Sequence, residues 1–407
     1  MNYRPMFEAI RIGAAVPVEY IDELIFGRDD EKKAIIDDLD FVINGNSKIR
    51  VFVGDYGFGK TSLARYAEHQ AIEKGMVISY LSEKDYDEFH KQDELFKSIM
   101  KNLTLFGIDG NPIRIFLDGW AQEKCELIKN SGTELKTVEE TKDYILKDSE
   151  NFSDGLFAQF CSAYLFKVLN NESVEELIAY IMGESVDKRF LKRNGIYHFL
   201  ANDGWNFLKA FTVLMKNISI PGLLIVMDEM ESFIHKRSDL RKKSYNQLRE
   251  MVDTLNSGKL SGIYSVWLGT PLWFNNNYKG IRSNTALFNR LTNLSGKQTN
   301  QSILMNLNPI TLGDIENLVN KLVKDYQQVY SVNIPAEKTK KIYDFLIENY
   351  KGIEGEVRVS TREISKHAVE LFDLIKENPD MPMNDILNIE VDTTEERKKE
   401  TSVNELW

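Results

Sequence analysis

The run Gly54-Asp55-Tyr56-Gly57-Phe58-Gly59-Lys60-Thr61 limits the fold of this chain more than any other feature, because it matches G-x-x-x-x-G-K-S/T in full. Glycines allow a backbone to wrap an anion without Cβ clashes, and successive N–H groups then point at a phosphate. A β-rich run over 49–53 precedes the loop, and helical periodicity follows it from Thr61. The sequence therefore predicts a phosphate-binding loop between a strand and a helix.

Within this loop, two side chains have separate predicted tasks. Lys60 would reach the β- and γ-phosphates of a nucleotide, and the Thr61 hydroxyl would hold Mg²⁺. ATP and Mg²⁺ are therefore the predicted ligands. The predicted nucleotide contacts of the loop are Gly54, Asp55, Tyr56, Gly57, Phe58, Gly59, Lys60, Thr61 and Ser62.

The remaining patterns predict an α/β fold with a parallel five-stranded sheet, a long helical insertion and a helical lid. Apolar runs predict strands over 49–53, 77–81, 222–227, 264–268 and 303–307. Residues of about 84–211 show almost only helical periodicity, which is far more than one crossover helix. The predicted domains are a nucleotide-binding core (1–306), a lid (307–378) and a charged tail (379–407). Four aromatic residues of the insertion are predicted to be core residues: Trp120, Phe152, Phe157 and Phe160.

A second acidic element follows the apolar run Leu223–Met227, which is typical of a fully buried parallel strand. Asp228 and Glu229 come directly after it. A P-loop NTPase needs a carboxylate at the end of a neighbouring strand for the Mg²⁺ shell, and Asp228 is predicted to supply it. Glu229 is predicted to act as the general base on the attacking water.

The order of later motifs is typical of AAA+ proteins. Thr270, after the strand 264–268, is predicted to orient the attacking water, and Arg290 is predicted to reach a neighbour's nucleotide as an arginine finger, with Arg282 in reserve. Ser360-Thr361-Arg362-Glu363 is a capping box at the start of a lid helix. Arg362 there is the predicted nucleotide-sensing arginine, with Arg358 in reserve.

Gly27 and Arg28 precede a helix that leads into the first strand. Similar elements lie beside the adenine in AAA+ initiators and STAND proteins, so an adenine-contacting role is extended to Gly27 and Arg28 by analogy.

A GTPase is disfavoured because Asn320-Lys321 lacks the following aspartate of the base-recognition motif. An ABC ATPase is disfavoured because the signature-like run 294–298 follows the acidic strand instead of preceding it.

Net charge and composition indicate which partners and which cellular compartment the protein is expected to have. The 407 residues carry a net charge of -11, which argues against a globally cationic nucleic-acid coat protein. No secretory signal or span of about 20 apolar residues is visible, so a cytoplasmic protein without membrane contact is expected. A local basic cluster follows the acidic strand and indicates either duplex DNA binding or a solvated helix face: Lys236, Arg237, Arg241, Lys242, Lys243 and Arg249.

Four stretches together resemble a known family, the P-loop ATP-binding proteins of bacterial BREX-type phage-defence systems (the BrxC/BrxD group, most like the shorter BrxD). The stretches are 10–17 (IRIGAAVP), 53–61, 227–231 (MDEME) and 268–271 (LGTP). The resemblance implies an AAA+ fold, ATP binding and a role in defence beside a helicase-like partner.

Two functional hypotheses follow from the sequence. The first is an AAA+ ATPase of antiviral defence that acts as a nucleotide-driven switch or motor, contacts duplex DNA together with partner proteins and can form a homo-oligomer. The second is a STAND-like signalling or scaffold module that binds ATP with little turnover. A metabolic kinase is disfavoured because no residue pattern in the sequence indicates a substrate pocket. The intact pair Asp228-Glu229 favours hydrolysis.

Overall fold

A computed structural model describes residues 2–148, 155–197, 204–293, 297–350 and 360–388. The predictions for Phe152, Arg358, residues 294–296 and the end of the charged tail lie outside these ranges. The chain divides into two compact units. The lid unit comprises residues 1–32, 54–69 and 307–407, and the sheet unit comprises residues 33–53 and 70–306.

The sheet unit contains a six-stranded sheet with the spatial order β3-β2-β4-β5-β1-β6. All neighbouring pairs are parallel except β2 and β3. The strands are β1 (Ser47–Val53), β2 (Val77–Leu81), β3 (Leu103–Thr104), β4 (Leu223–Met227), β5 (Ile263–Gly269) and β6 (Leu304–Asn306).

The prediction of five strands is therefore wrong by one. The missed strand, β3, is two residues long and pairs antiparallel with β2 at the edge of the sheet. Two residues are too few to show an alternating pattern, and β3 directly follows a helix within the predicted insertion. The five predicted strands are present, and β4 and β5 are buried along their whole length, as expected of central parallel strands.

The insertion between β2 and β4 is helical and packs on the sheet in one hydrophobic core. Trp120, Phe157 and Phe160 are fully buried in this core, which confirms them as core residues. The helices of the insertion are α4 (Gln92–Lys101), α5 (Pro112–Ser131), α6 (Val138–Asp148), α7 (Gly155–Leu169), α8 (Glu175–Ile181), α9 (Lys188–Arg193) and α10 (Gly204–Asn217). Three more helices of the sheet unit are α11 (Ser238–Asn256), α12 (Pro271–Asn275) and α13 (Thr285–Leu291).

A buried ion pair joins the helix before the sheet to β1. Helix α2 (Asp29–Ile43) carries Asp38, and Arg50 of β1 donates to its carboxylate through Nε at 2.7 Å and Nη2 at 2.8 Å. The Arg50 side chain is 1% exposed and also donates to the Ser302 carbonyl. Both charges are thus compensated inside the sheet unit.

The lid unit has its own core, in which the first helix packs against helices from the end of the chain. Its helices are α1 (Arg4–Arg11), α14 (Leu312–Tyr330), α15 (Ala336–Tyr350) and α16 (Thr361–Glu377). Arg11 donates to both carboxylate oxygens of Asp373, at 2.7 and 2.8 Å, which ties α1 to α16. Helix α3 (Lys60–Glu73), like α2, contributes residues to both units. No helix among the described residues is long and apolar enough to cross a bilayer.

Candidate functional site

The phosphate loop begins at Gly54, directly after β1, and ends where α3 starts at Lys60. Gly57 and Gly59 have φ values of +85° and +81°, which glycine adopts without strain. A Cβ on Gly54 would lie 3.0 Å from the Cβ of Leu307, so this position also favours glycine. The strand, the glycine turn and the helix N-terminus are therefore arranged as the motif predicts.

Lys60 is 8% exposed and points its ammonium group back into the loop. The Nζ atom donates to the carbonyl oxygens of Gly54 at 2.8 Å and Asp55 at 3.0 Å. It also lies 5.2 Å from the centre of the Tyr56 ring, while Tyr56 itself is 74% exposed. The loop thus encloses a buried cation, which suits an anionic phosphate group in this position.

A cavity of about 590 Å³ adjoins the start of α3 within the lid unit. Thr61 and Ser62 line it from α3, and Thr361 and Arg362 line it from the first turn of α16. Its lining combines apolar side chains with hydroxyl and guanidinium groups, a combination that is common where proteins bind small molecules. The structure therefore brings Arg362, the predicted sensing arginine, to one cavity with Thr61 and Ser62, the last two of the predicted loop contacts, whereas residues 54–60 do not line it.

The opposite wall of this cavity was missed by sequence reasoning. It consists of small and apolar side chains from the segment after α1, including Ala14, Ala15 and Val16. This segment belongs to the stretch 10–17 that carries part of the family resemblance, and that was the available signal. The complete lining also includes Ile10, Ile21, Leu24, Arg65 and Ser365.

Gly27 and Arg28 do not line the cavity. The Arg28 side chain is 5% exposed, and its Nη2 donates to the carbonyls of Phe58 at 2.9 Å and Asn308 at 2.6 Å. A Cβ on Gly27, which has φ +66°, would collide with the Asp314 carboxylate. Arg28 thus bonds to the phosphate loop and to the segment before α14, and Gly27 leaves room for the Asp314 carboxylate, while a contact of these two residues with adenine stays a prediction.

In the sheet unit, Asp228 follows β4 and Thr270 follows β5 at the carboxyl edge of the sheet. The register pairs Met227 with Trp267 and Val53 with Gly269, so the strands β4, β5 and β1 end close together. Ligands of parallel α/β proteins bind at this edge, because the loops that follow the strands converge there.

Asp228 is 7% exposed, and hydrogen bonds reach both its carboxylate oxygens and its backbone carbonyl. Its Oδ2 accepts from the Tyr80 hydroxyl at 2.5 Å, and its Oδ1 accepts from the Glu229 N–H at 2.8 Å. The Tyr86 hydroxyl donates to the Asp228 carbonyl at 2.7 Å. Burial, with the charge of Asp228 adding to it, raises the pKa of Tyr86 well above its ordinary value, so this hydroxyl remains a donor. Sequence reasoning missed both tyrosines.

Glu229 has an unusual backbone conformation for a non-glycine residue, with φ +56° and ψ +36°. Such a conformation costs on the order of 1 kcal/mol or more. The bond from its N–H to Asp228 and a bond from the Ser232 N–H to its carbonyl, at 3.0 Å, hold it there. The Glu229 side chain is exposed, in contrast to the buried Asp228. Strain at a candidate general base is consistent with a functional position.

Thr270 and Arg290 have local partners in the sheet unit. The Thr270 hydroxyl caps α12 by accepting from the Trp273 N–H at 3.4 Å, and Thr270 is 5% exposed. Arg290 of α13 pairs with Asp253 of α11 and donates to the Ala286 carbonyl at 2.7 Å. The reserve, Arg282, places its guanidinium 5.4 Å from the centre of the Phe288 ring. Their catalytic roles stay predictions.

The basic cluster after β4 divides into two groups. Arg241 is 9% exposed and donates to the Lys236 carbonyl at 2.7 Å, while Lys236 donates to the carbonyls of Tyr86 and Asp87. These two cations therefore support the local fold. The others are at least partly exposed: Arg237, Lys242, Lys243 and Arg249.

A parallel-dominated α/β sheet with a glycine-rich loop between β1 and α3 is typical of P-loop nucleotide-binding proteins. The chain belongs to a particular family of such proteins, the BREX system ATP-binding proteins BrxC/D, whose family model matches residues 2–391. No curated protein matches the chain. Family membership indicates an ATP-binding role in anti-phage defence, with other components of the BREX system as partners.

Proposed function

We propose that the protein is an AAA+-type ATPase of the BrxD kind that works in the cytoplasm as a nucleotide-driven switch or motor of phage defence. A helicase-like component is the proposed partner. The observation that carries the proposal is the cavity beside α3, because Thr61, Ser62 and Arg362 line it together. We retain the division into a core (1–306), a lid (307–378) and a tail (379–407) as the functional domains.

The proposed ATP site places the phosphates on the loop and the base and ribose in the cavity. Lys60 would neutralise charge on the β- and γ-phosphates, and the small side chains Ala14 and Ala15 would leave room for the flat base. Arg362, in the first turn of α16, would contact the nucleotide from the lid helix. Nucleotide binding would thereby be sensed by α16, whose core contacts extend to α1 and α14.

Mg²⁺ would supply charge neutralisation at the phosphates when bound. The residues present fit it chemically, since Thr61 offers a hydroxyl and Asp228 a carboxylate that Tyr80 and the Glu229 N–H orient. Glu229 would accept a proton from the attacking water, for which its exposed carboxylate is accessible. Thr270 would orient that water, and Arg290 would act on the nucleotide of a neighbouring copy after leaving Asp253.

The test is a comparison of ATP binding by calorimetry with steady-state ATP hydrolysis, both with and without duplex DNA at low salt. Lys60→Ala should abolish binding, whereas Glu229→Gln should bind ATP and lose turnover. Glu231→Gln, which removes a nearby carboxylate, is the matched control and should retain turnover. ATP binding without turnover in the unaltered protein would reject the ATPase and favour the STAND-like module.

Ala15→Leu tests the location of the base. The added side chain would fill part of the cavity and should weaken ATP binding by about tenfold or more, while inorganic triphosphate, which lacks the base, should bind as before. Equal losses for both ligands would place the base elsewhere.

A further inference from the structure

A polar groove on the sheet unit is separate from the residues of the proposed ATP site. It runs between α11 and the segment that joins α12 to α13. Among the described residues that line it, none is acidic. Asn246, Asn277 and Asn284 contribute amide groups, and Lys242 contributes a cation.

Tyr278 lies at this groove and is 86% exposed, although its ring is large and mostly apolar. Its position is fixed by the backbone around it. The Asn276 side chain accepts from the N–H groups of Tyr278 and Lys279, both at 2.9 Å, and the Tyr245 hydroxyl donates to the Lys279 carbonyl at 2.7 Å. The tyrosine ring is therefore held out toward solvent by a well-bonded turn.

The same segment is held to α11 at a second point. The Asn284 amide donates to the Asn246 side chain at 3.1 Å. Gly280 is required in the turn, because a Cβ there would lie 2.3 Å from the Trp273 carbonyl oxygen. Both walls of the groove are consequently fixed relative to each other within the sheet unit.

The charge around the groove is positive. Lys242, Lys243, Lys279 and Arg282 are exposed, and residues 271–293 contain no Asp or Glu. Two of the three acidic residues of α11 are compensated by arginines, since Asp239 pairs with Arg237 and Asp253 with Arg290. The third, Glu250, accepts from the Gln92 amide at 2.9 Å. The protein as a whole carries a charge of -11, so this local excess of cations would attract a polyanion to one place.

From these features we infer that the groove binds single-stranded nucleic acid. An exposed aromatic ring stacks on unpaired bases, cations contact the phosphates, and amide side chains bond to base edges, which is the combination that single-strand sites use. A base inside a duplex is already stacked, so the ring would find no partner there. Two members of the six-residue basic cluster, Arg241 and Lys242, line this groove. Arg241 is buried and donates to the Lys236 carbonyl, so Lys242 is the cation of that cluster that the groove offers to a phosphate, while duplex DNA binding by the whole cluster stays a prediction.

The experiment measures fluorescence anisotropy of a labelled 20-nucleotide oligo-dT and of a 20-base-pair duplex, without ATP, at 50 and 200 mM salt. The full chain should bind the single strand more tightly than the duplex. Tyr278→Ala should weaken single-strand binding by about 5- to 150-fold, while Tyr278→Phe should retain it. Lys242→Ala should make the negative slope of log K against log salt shallower by about 0.7.

Tyr197→Ala is the matched control, because Tyr197 is also an exposed tyrosine of the sheet unit, at 60%. It should leave binding unchanged. Lys60→Ala separates this inference from the proposed function, since it should abolish ATP binding and leave oligonucleotide binding intact. The inference is overturned if the unaltered chain binds no single strand at 50 mM salt. Binding that Tyr278→Ala leaves unchanged, or a preference for the duplex, also overturns it.

Discussion

The buried pair Arg50–Asp38 yields the sharpest stability prediction. Arg50 is 1% exposed and satisfies Asp38 through two hydrogen bonds, and the Ser302 carbonyl takes a third donor. Removing either partner leaves an uncompensated charge or donor in the core, which costs about 3–5 kcal/mol. For a unit of this size, that corresponds to a fall of roughly 6–20 °C in Tm.

Arg50→Met and Asp38→Leu should each show this loss in thermal unfolding followed by circular dichroism and in the urea midpoint. Asp38→Leu should cost at least as much stability as Arg50→Met, because it leaves the Arg50 guanidinium without a carboxylate. In Arg50→Met, by contrast, Asp38 keeps Lys48 at 3.9 Å. The double variant should recover most of the stability, since both charges are then absent.

Lys48→Met is the control, because Lys48 contacts the same carboxylate from a position that is 23% exposed, and it should cost less than about 1 kcal/mol. The reasoning is refuted if the single variants cost under about 1 kcal/mol. It is equally refuted if the double variant is no more stable than the worse single variant.

Three further predictions concern the site and the lid unit. Tyr80→Phe removes a donor to Asp228 and should raise the Mg²⁺ concentration required for hydrolysis by about 10- to 100-fold; an unchanged Mg²⁺ titration would contradict it. Arg362→Ala should weaken ATP binding by about tenfold in calorimetry, and an unchanged affinity would remove Arg362 from the site. Burial alone would raise the pKa of Asp373, but the bonds from Arg11 and Tyr326 outweigh it and hold that pKa below the ordinary 3.8. A lowered pKa stabilises the fold above pH 3.8, and this effect declines as the pH falls toward and through the folded pKa, so Arg11→Met should lower the urea midpoint more at pH 6 than at pH 3.

Patterns that extend over many residues were predictable from the sequence. The apolar runs of β4 and β5 are long enough to identify buried strands, and the phosphate loop is defined by residue types at fixed spacing. The two-residue strand β3 carries no such pattern, because its place depends on pairing with β2. Sequence order alone could therefore predict the parallel sheet but not its antiparallel edge.

Side-chain partners of the site were less predictable. Tyr80 and Tyr86 reach Asp228 from about 150 positions earlier in the chain, and sequence spacing holds no information on such a contact. Arg28 looked equally available for a ligand, yet its side chain is buried and its Nη2 donates to two backbone carbonyls. The sequence shows the charge and hydrogen-bonding groups of a residue near a motif, whereas the partner that the residue bonds to depends on tertiary packing.

The lid unit is assembled from both ends of the chain, and this has a consequence for synthesis. Met6, Phe7 and Ile10 of α1 are buried against helices whose last member ends near residue 377. At about 5–20 residues per second, the ribosome would need roughly 20–70 s between making α1 and completing α16. During that interval the apolar face of α1 lacks its native cover, so this part of the nascent chain is a natural client for a chaperone until α16 has been made.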